Sequence, residues 1–291
     1  LYYIFYTILR LALSVFHGCL LIGAVHHCDQ LLHHIVPYLK HTSFKKNLFK
    51  TKAHLYFIDL FDQFDKNYPS NMFAPILLNI MIKWGKQLVK KSQKIERLLN
   101  KSEYSFSNSF ALLQALYSIH SLTKEPFFQE KADALNQSIE KISNDCCDRQ
   151  LLPSAYPVNS NIIKSEALIE TLDCITKYSL RDPYSPKVTQ TIKHLETYIN
   201  RYLYYQPKFP RGFPIVQQFS LAMIYLKRRD NRLFELFDWL LDRCNPAFVW
   251  PEVIHPITLS GHDGEGHFIK AHVDCIYLIR SMLILDEKDG L

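Results

Sequence analysis

The chain has 291 residues, of which 48 % are hydrophobic and 21 % are charged, and this balance excludes a disordered chain. Its net charge of +6 comes from short lysine groups without interleaved aromatic residues, which argues against a nucleic-acid-binding protein. Only 8 residues are glycine, a scarcity that argues against an all-β fold built on tight turns.

Eleven segments show the three- and four-residue spacing of apolar side chains that predicts amphipathic helices. They span residues 1–25, 29–39, 45–65, 73–100, 110–121, 127–144, 162–178, 188–203, 215–227, 233–243 and 268–286. No segment alternates apolar and polar residues over the length of a strand. The sequence therefore predicts an all-α protein.

The first predicted helix, residues 1–25, is strongly apolar, and Arg10 is its one permanently charged side chain. Its uninterrupted apolar run is shorter than the ~20 residues that a membrane-spanning helix needs. We expect a buried helix, and a membrane-associated or signal segment is the alternative. The seven cysteines form no Cys-x-x-Cys pair and most lie in apolar helical patterns, which favours free thiols in a reducing, cytoplasmic compartment.

The predicted helices follow one another in pairs, with short turns on one side and longer loops on the other. Because no sequence signature repeats at a constant period, a closed toroid is a better prediction than a solenoid. We predict a single domain over residues 1–291, an (α/α) toroid of about six helical hairpins. Within it, the carboxylates of Asp59, Asp62 and Asp65 recur every third residue, which predicts a solvated helix face.

The segment of residues 250–267 departs most from this helical pattern. It contains one tryptophan, Trp250, and three glycines. Its acids are Glu252, Asp263 and Glu265, and its imidazoles are His255, His262 and His267. Loops carried by a rigid helical scaffold are where binding and catalytic residues concentrate. We therefore place the candidate site in this segment.

The C-terminal part of the chain carries a resemblance to a known superfamily. The matching words are Trp250-Pro251-Glu252, His255-Pro256, the Gly/Asp run at 261–267 and the ending Arg280…Met282-Leu283. In order and spacing they resemble the C-terminal end of six-hairpin glycosidase-like toroids, near the glycogen-debranching and glucoamylase-like enzymes. The resemblance covers about a quarter of the chain. It implies a carbohydrate-active protein that needs no cofactor and acts on or binds an α-glucan or another oligosaccharide or polysaccharide.

The resemblance also implies roles for individual residues. Hydrolysis of a glycosidic bond uses two carboxyl groups, and Glu252 and Asp263 are the expected pair. Trp250 would stack on a sugar ring. The further substrate contacts that we expect are His262, Glu265, His267, and, from other loops, Tyr156 and Arg211.

Simpler interpretations of the same residues stay open. Trp250 could be a core side chain, Glu252 a helix-end cap, and Asp263 or Glu265 a cap for the following helix. We expect no metal site, since His267 and His272 are five residues apart, not the four that place two ligands on one helical face.

Two other functions also stay open. The helix after residue 267 lacks the Trp-Ala-Ala-Ala-Glu word of the family, and no catalytic-acid segment is recognisable in residues 1–200. The chain would then be a non-catalytic helical scaffold or binding protein. If residues 1–25 were inserted in a bilayer, it would be a membrane-tethered helical protein.

Overall fold

The computed structural model describes residues 2–41, 52–68, 74–98, 104–145, 152, 155–156, 165–205, 212–263 and 268–283. Over this part the chain forms eleven α-helices, seven strands of two or three residues and one short 3₁₀ helix. The predicted all-α class is confirmed. The chain divides into two compact units, Leu1–Cys147 with Ala155–Asn161, and Asp148–Ser154 with Ile162–Leu291. The single domain over residues 1–291 stays a prediction.

Six helices and one short strand pair form the first unit. The helices are α1 (Tyr2–Leu21), α2 (Val25–His41), α3 (Lys52–Asn67), α4 (Ala74–Leu98), α5 (Phe106–Thr123) and α6 (Pro126–Asp145). The strands β1 (Tyr104–Ser105) and β2 (Ala155–Tyr156) pair antiparallel. Helix α5 is central, because it packs against α3, α4 and α6. The core is rich in fully buried aromatic rings, namely Phe16, Phe57, Phe61, Phe64, Trp84 and Phe128.

Helix α1 packs against α2 and α3 and buries Leu13, Phe16 and Leu20 in this core. Its Phe16 carbonyl accepts a hydrogen bond from the Cys28 thiol of α2. These contacts place the apolar side of α1 as the buried-helix interpretation expects. Among the helices of the described ranges, none has both the length and the apolar character needed to cross a bilayer.

The expected solvated acidic face on α3 is wrong for two of its three residues. Asp59 and Asp62 are buried. Asp59 accepts hydrogen bonds from the Gln63 and Gln114 side chains at 3.1 and 3.2 Å, and Asp62 pairs with Lys66 at 2.7 Å. Because α5 covers this side of α3, buried partners replace the water that the i+3 spacing alone suggested.

Five helices form the second unit: α7 (Ser165–Lys177), α8 (Pro186–Leu195), α9 (Ile215–Lys227), α10 (Arg232–Asp242) and α11 (Ile269–Leu283). Helix α9 packs against α7, α10 and α11. It buries nine of its thirteen residues, as expected of a helix that is apolar nearly all round. The second unit is therefore organised around α9.

Short strands occupy the segments between these helices. The predicted helix 188–203 ends at Leu195, followed by a 3₁₀ turn (Glu196–Tyr198) and the hairpin β3 (Ile199–Asn200) and β4 (Leu203–Tyr204). The helical prediction beyond 195 is wrong. Arg201 turns the chain with φ of 59°, and β-branched and aromatic side chains favour extended backbone on either side.

Three further strands, β5 (Phe213–Pro214), β6 (Val253–Ile254) and β7 (Gly261–Asp263), form an antiparallel sheet with β6 in the middle. Gly212 leads into β5 with φ of 153°. A Cβ atom at this position would collide with the carbonyl oxygen of Ile254. Only glycine allows β5 to approach β6 this closely.

Candidate functional site

The predicted site segment forms a hairpin at the beginning of two helices. We call residues 253–263, which comprise β6, β7 and the turn between them, the β6–β7 hairpin. Just before it, the Glu252 carbonyl accepts a hydrogen bond from the N–H of Ile215, the first residue of α9, at 3.0 Å. The Trp250 carbonyl accepts one from Phe268, directly before α11, at 3.3 Å. The hairpin is thereby anchored at the N-terminal ends of α9 and α11.

Trp250 lies in the core of the second unit. Its side chain is 1 % exposed, and its Nε1–H donates to the Leu240 carbonyl oxygen at 2.8 Å. The indole meets the rings of Phe219 and His272 edge-on, with centroids 5.5 and 5.8 Å away. This arrangement matches the alternative of a core side chain, and the indole offers no open face to a sugar.

The two predicted catalytic acids lie on neighbouring strands. Glu252 is exposed and directly precedes β6. The backbone of Asp263, on β7, pairs with Val253, the residue after Glu252. The structure describes Asp263 by its backbone alone. The tertiary fold thus brings together two segments that are eleven residues apart in the sequence.

Two imidazoles meet on the hairpin. The rings of His255 and His262 lie edge-to-face with centroids 5.0 Å apart. His255 Nδ1 accepts hydrogen bonds from the backbone N–H groups of Ile257 and Thr258 at 3.2 and 3.1 Å, so the neutral ring carries its proton on Nε2. The hydroxyls of Thr258 and Ser260 are 2.7 Å apart at the exposed tip. The hairpin therefore presents imidazole and hydroxyl groups beside the exposed carboxylate of Glu252.

The other predicted contacts are not brought together by the described structure. Arg211, Glu265 and His267 lie outside the described residues. Tyr156 belongs to β2 in the first unit and is described by its backbone, which pairs with Tyr104. In the described part of the chain, no three His, Cys, Asp or Glu side chains converge on a point where they could hold a metal ion.

The sequence-based prediction missed a polar cluster on α7, α9 and α11. Asp173 on α7 receives a hydrogen bond from Ser220 on α9, and the charges of Lys270 and Asp274 on α11 act on it. Lys270 pairs with Asp274 at 2.6 Å. The available signal was a Lys and an Asp four residues apart in an otherwise apolar helix, but that spacing is equally typical of a solvated face.

Comparison with known proteins places the fold. No family model matches the chain, and no curated protein matches it. Two solved structures are similar to it, a glycosidase in its wild-type form and a variant of a glycosidase. Each aligns with a TM-score of 0.56 and 11 % sequence identity over 79 % of this chain, which spans 66 % of the length of that structure. The chain therefore has a glycosidase-like fold.

Proposed function

We propose that the chain is a carbohydrate-active protein that binds an oligosaccharide or an α-glucan at the β6–β7 hairpin. The observation that carries the proposal is the fold shared with glycosidase structures. A fold by itself hosts many functions, so the argument also needs a site whose chemistry suits a sugar. The hairpin and the adjacent Glu252 supply that chemistry.

Sugar recognition needs acceptors and donors for many hydroxyl groups. Glu252 offers an exposed carboxylate. The neutral His255 ring has an Nε2–H donor, because its Nδ1 is occupied by backbone N–H groups. The Thr258 and Ser260 hydroxyls can both donate and accept. The internal hydrogen bonds of the hairpin pre-organise these groups, so little conformational entropy is lost when a ligand binds.

The proposed chemistry is hydrolysis by two carboxyl groups. One of Glu252 and Asp263 would protonate the leaving glycosidic oxygen, and the other would activate water or attack the anomeric carbon. The C–O bond to the leaving sugar breaks, and a bond from the anomeric carbon to the water oxygen replaces it. His262, Glu265, His267, Arg211 and Tyr156 remain proposed substrate contacts. Trp250 is left out of this set because its indole is buried.

A matched pair of variants tests the proposal. The full chain, E252Q and E235Q are titrated with a panel of α- and β-glucans by calorimetry, and released reducing ends are measured. Glu235 is an exposed glutamate on α10 and serves as the control. We expect E252Q to weaken binding about tenfold or more, since a hydrogen bond to a charged group is lost, while E235Q binds like the wild type.

Two results would overturn the proposal: no glucan binds the wild-type chain, or E252Q binds as the wild type does. Binding without release of reducing ends would support the non-catalytic alternative and contradict hydrolysis.

A further inference from the structure

Each of three helices in the second unit presents a partly exposed polar stripe. On α7 the stripe includes Asp173 and Lys177, and on α11 it includes Lys270, Asp274 and Tyr277. These residues recur every three or four positions, so each set lies on one helical face. Between residues 218 and 226 of α9, Ser220 alone is not buried. The accessible surface of this part of α9 is therefore confined to one hydroxyl.

The three stripes face one another. Asp173 receives the Ser220 hydrogen bond and experiences the charges of Lys270 and Asp274. One turn further along α7, the Lys177 ammonium lies 5.5 Å from the Tyr277 ring centroid. Later residues of α7 thus meet later residues of α11, so the two helices run in the same direction. Partial exposure of facing polar side chains means that they line a groove, which we call the α7–α9–α11 groove.

Asp173 is the unusual group in this groove. Desolvation raises the pKa of its carboxyl, the positive charges of Lys177 and Lys270 oppose this, and the negative charge of Asp274 adds to it. The two cations act weakly because each has another partner. Lys270 is paired with Asp274 at 2.6 Å, and the Lys177 ammonium lies over the rings of Tyr178 and Tyr277. Asp173 therefore keeps its proton to a higher pH than an ordinary aspartic acid does.

The other charges of the groove balance. Lys270 and Asp274 cancel as an ion pair, and Lys177 is opposite in sign to Glu170, which lies on the same side of α7. With Asp173 uncharged, the groove attracts neither a cation nor an anion. It still offers hydroxyl, carboxyl and ammonium groups for hydrogen bonds, together with a tyrosine ring. A neutral molecule with many hydroxyl groups fits this chemistry.

We propose that the α7–α9–α11 groove binds the sugar units of the ligand and that Asp173, as a neutral carboxylic acid, donates a hydrogen bond to a sugar hydroxyl. This inference rests on the proposed function and extends its site. The β6–β7 hairpin is anchored at the N-terminal end of α9, and Ser220 is five residues into that helix, about 7.5 Å along its axis. A ligand held by the hairpin can therefore reach the groove.

The test measures binding of a linear α-glucan, maltoheptaose, by calorimetry from pH 5 to 8.5. The full-length wild type is compared with D173N, whose amide keeps a donor without a titrating proton, and with D238N. Asp238 is an exposed residue of α10 and provides the matched control. Wild-type affinity should fall as the pH rises, by up to about tenfold per pH unit above the pKa of Asp173. D173N should lose that fall, and D238N should follow the wild type. Titration of His255 and His262 is common to all three chains and cancels in the comparison.

The outcomes separate this inference from the proposed function. If the wild type binds, E252Q weakens binding, and D173N keeps both the affinity and the pH profile of the wild type, the groove proposal is overturned and the proposed function stands. If the wild type binds neither maltoheptaose nor any other glucan of the panel, both fail. Circular dichroism of each variant separates loss of the contact from loss of the fold, and S220A, which removes one hydroxyl at the same place, should weaken binding in the same direction.

Discussion

The side-chain amide of Gln218 takes the place of a neighbouring strand for the backbone of Tyr204. Its Nε2 donates to the Tyr204 carbonyl oxygen at 2.6 Å, and its Oε1 accepts from the Tyr204 N–H at 3.0 Å. Both residues are 0 % exposed. Since β4 is only two residues long, no ladder satisfies these groups, and a side chain from α9 does so instead. The pair therefore fixes the β3–β4 hairpin to α9.

Replacing Gln218 should destabilise the second unit strongly. Q218L leaves a buried N–H and a buried carbonyl of Tyr204 without partners, at an expected cost of about 2–4 kcal/mol in the free energy of unfolding. The partly exposed neighbour Gln217 provides the control, and Q217L should change stability by less than about 0.5 kcal/mol. Urea unfolding followed by circular dichroism measures both. Equal unfolding midpoints for the two variants would show that the amide does not support β4.

Trp250 should behave as a structural residue. W250F keeps an aromatic ring but removes the Nε1–H that serves the Leu240 carbonyl, at an expected cost of about 1–3 kcal/mol. Glucan affinity measured on the folded fraction should not change, because the indole is buried. W239F, at the mostly buried Trp239 of α10, controls for the loss of an indole. A variant W250F with intact stability and weakened glucan binding would restore the stacking role.

Cys275 should make stability depend on alkaline pH. Burial, with smaller contributions from Cys244 and Asp274, raises the pKa of its thiol from 9.0 to about 11. The folded chain holds this proton more tightly than the unfolded chain does, so the resulting stability is complete below pH 9.0 and is lost as the pH rises towards about 11. The slope contributed by this one group approaches about 1.4 kcal/mol per pH unit.

The variant C275A should show a shallower loss of stability than the wild type between pH 9 and 11, after an initial packing cost of about 1 kcal/mol at pH 7. Urea unfolding at several pH values tests this. Tyrosine and lysine groups titrate in both chains, so the difference between the two curves reports the thiol. Parallel curves would rule out a contribution from Cys275.

The helices were predictable because their signal is local. Apolar side chains recur every three or four residues within a single segment, and nothing outside that segment is needed to recognise them. The short strands were not predictable, since strands of two residues such as β6 contain too few positions to show alternation. Pro37 illustrates the same limit, because a stop was expected there and α2 continues to His41.

For the site, the sequence indicated the segment but not which side chains reach solvent. Trp250 and Glu252 are two residues apart, and the loop composition made both candidates. Packing of Trp250 against Phe219 and His272 decided that the indole is core, while Glu252 was left exposed. The meeting of His255 with His262 depended on strand pairing across a turn, which composition does not encode.

The sequence by itself determined the all-α class, the order of most helices and the location of the polar segment at residues 250–267, because periodicity and composition are properties of contiguous residues. Only the tertiary structure decided that Trp250 is buried, that the segment forms a hairpin at the beginning of α9 and α11, and that Asp173 meets Ser220, Lys270 and Asp274. These features depend on which helices pack together. Burial and the electrostatic environment of a carboxyl group are set by neighbours that lie far away in the chain.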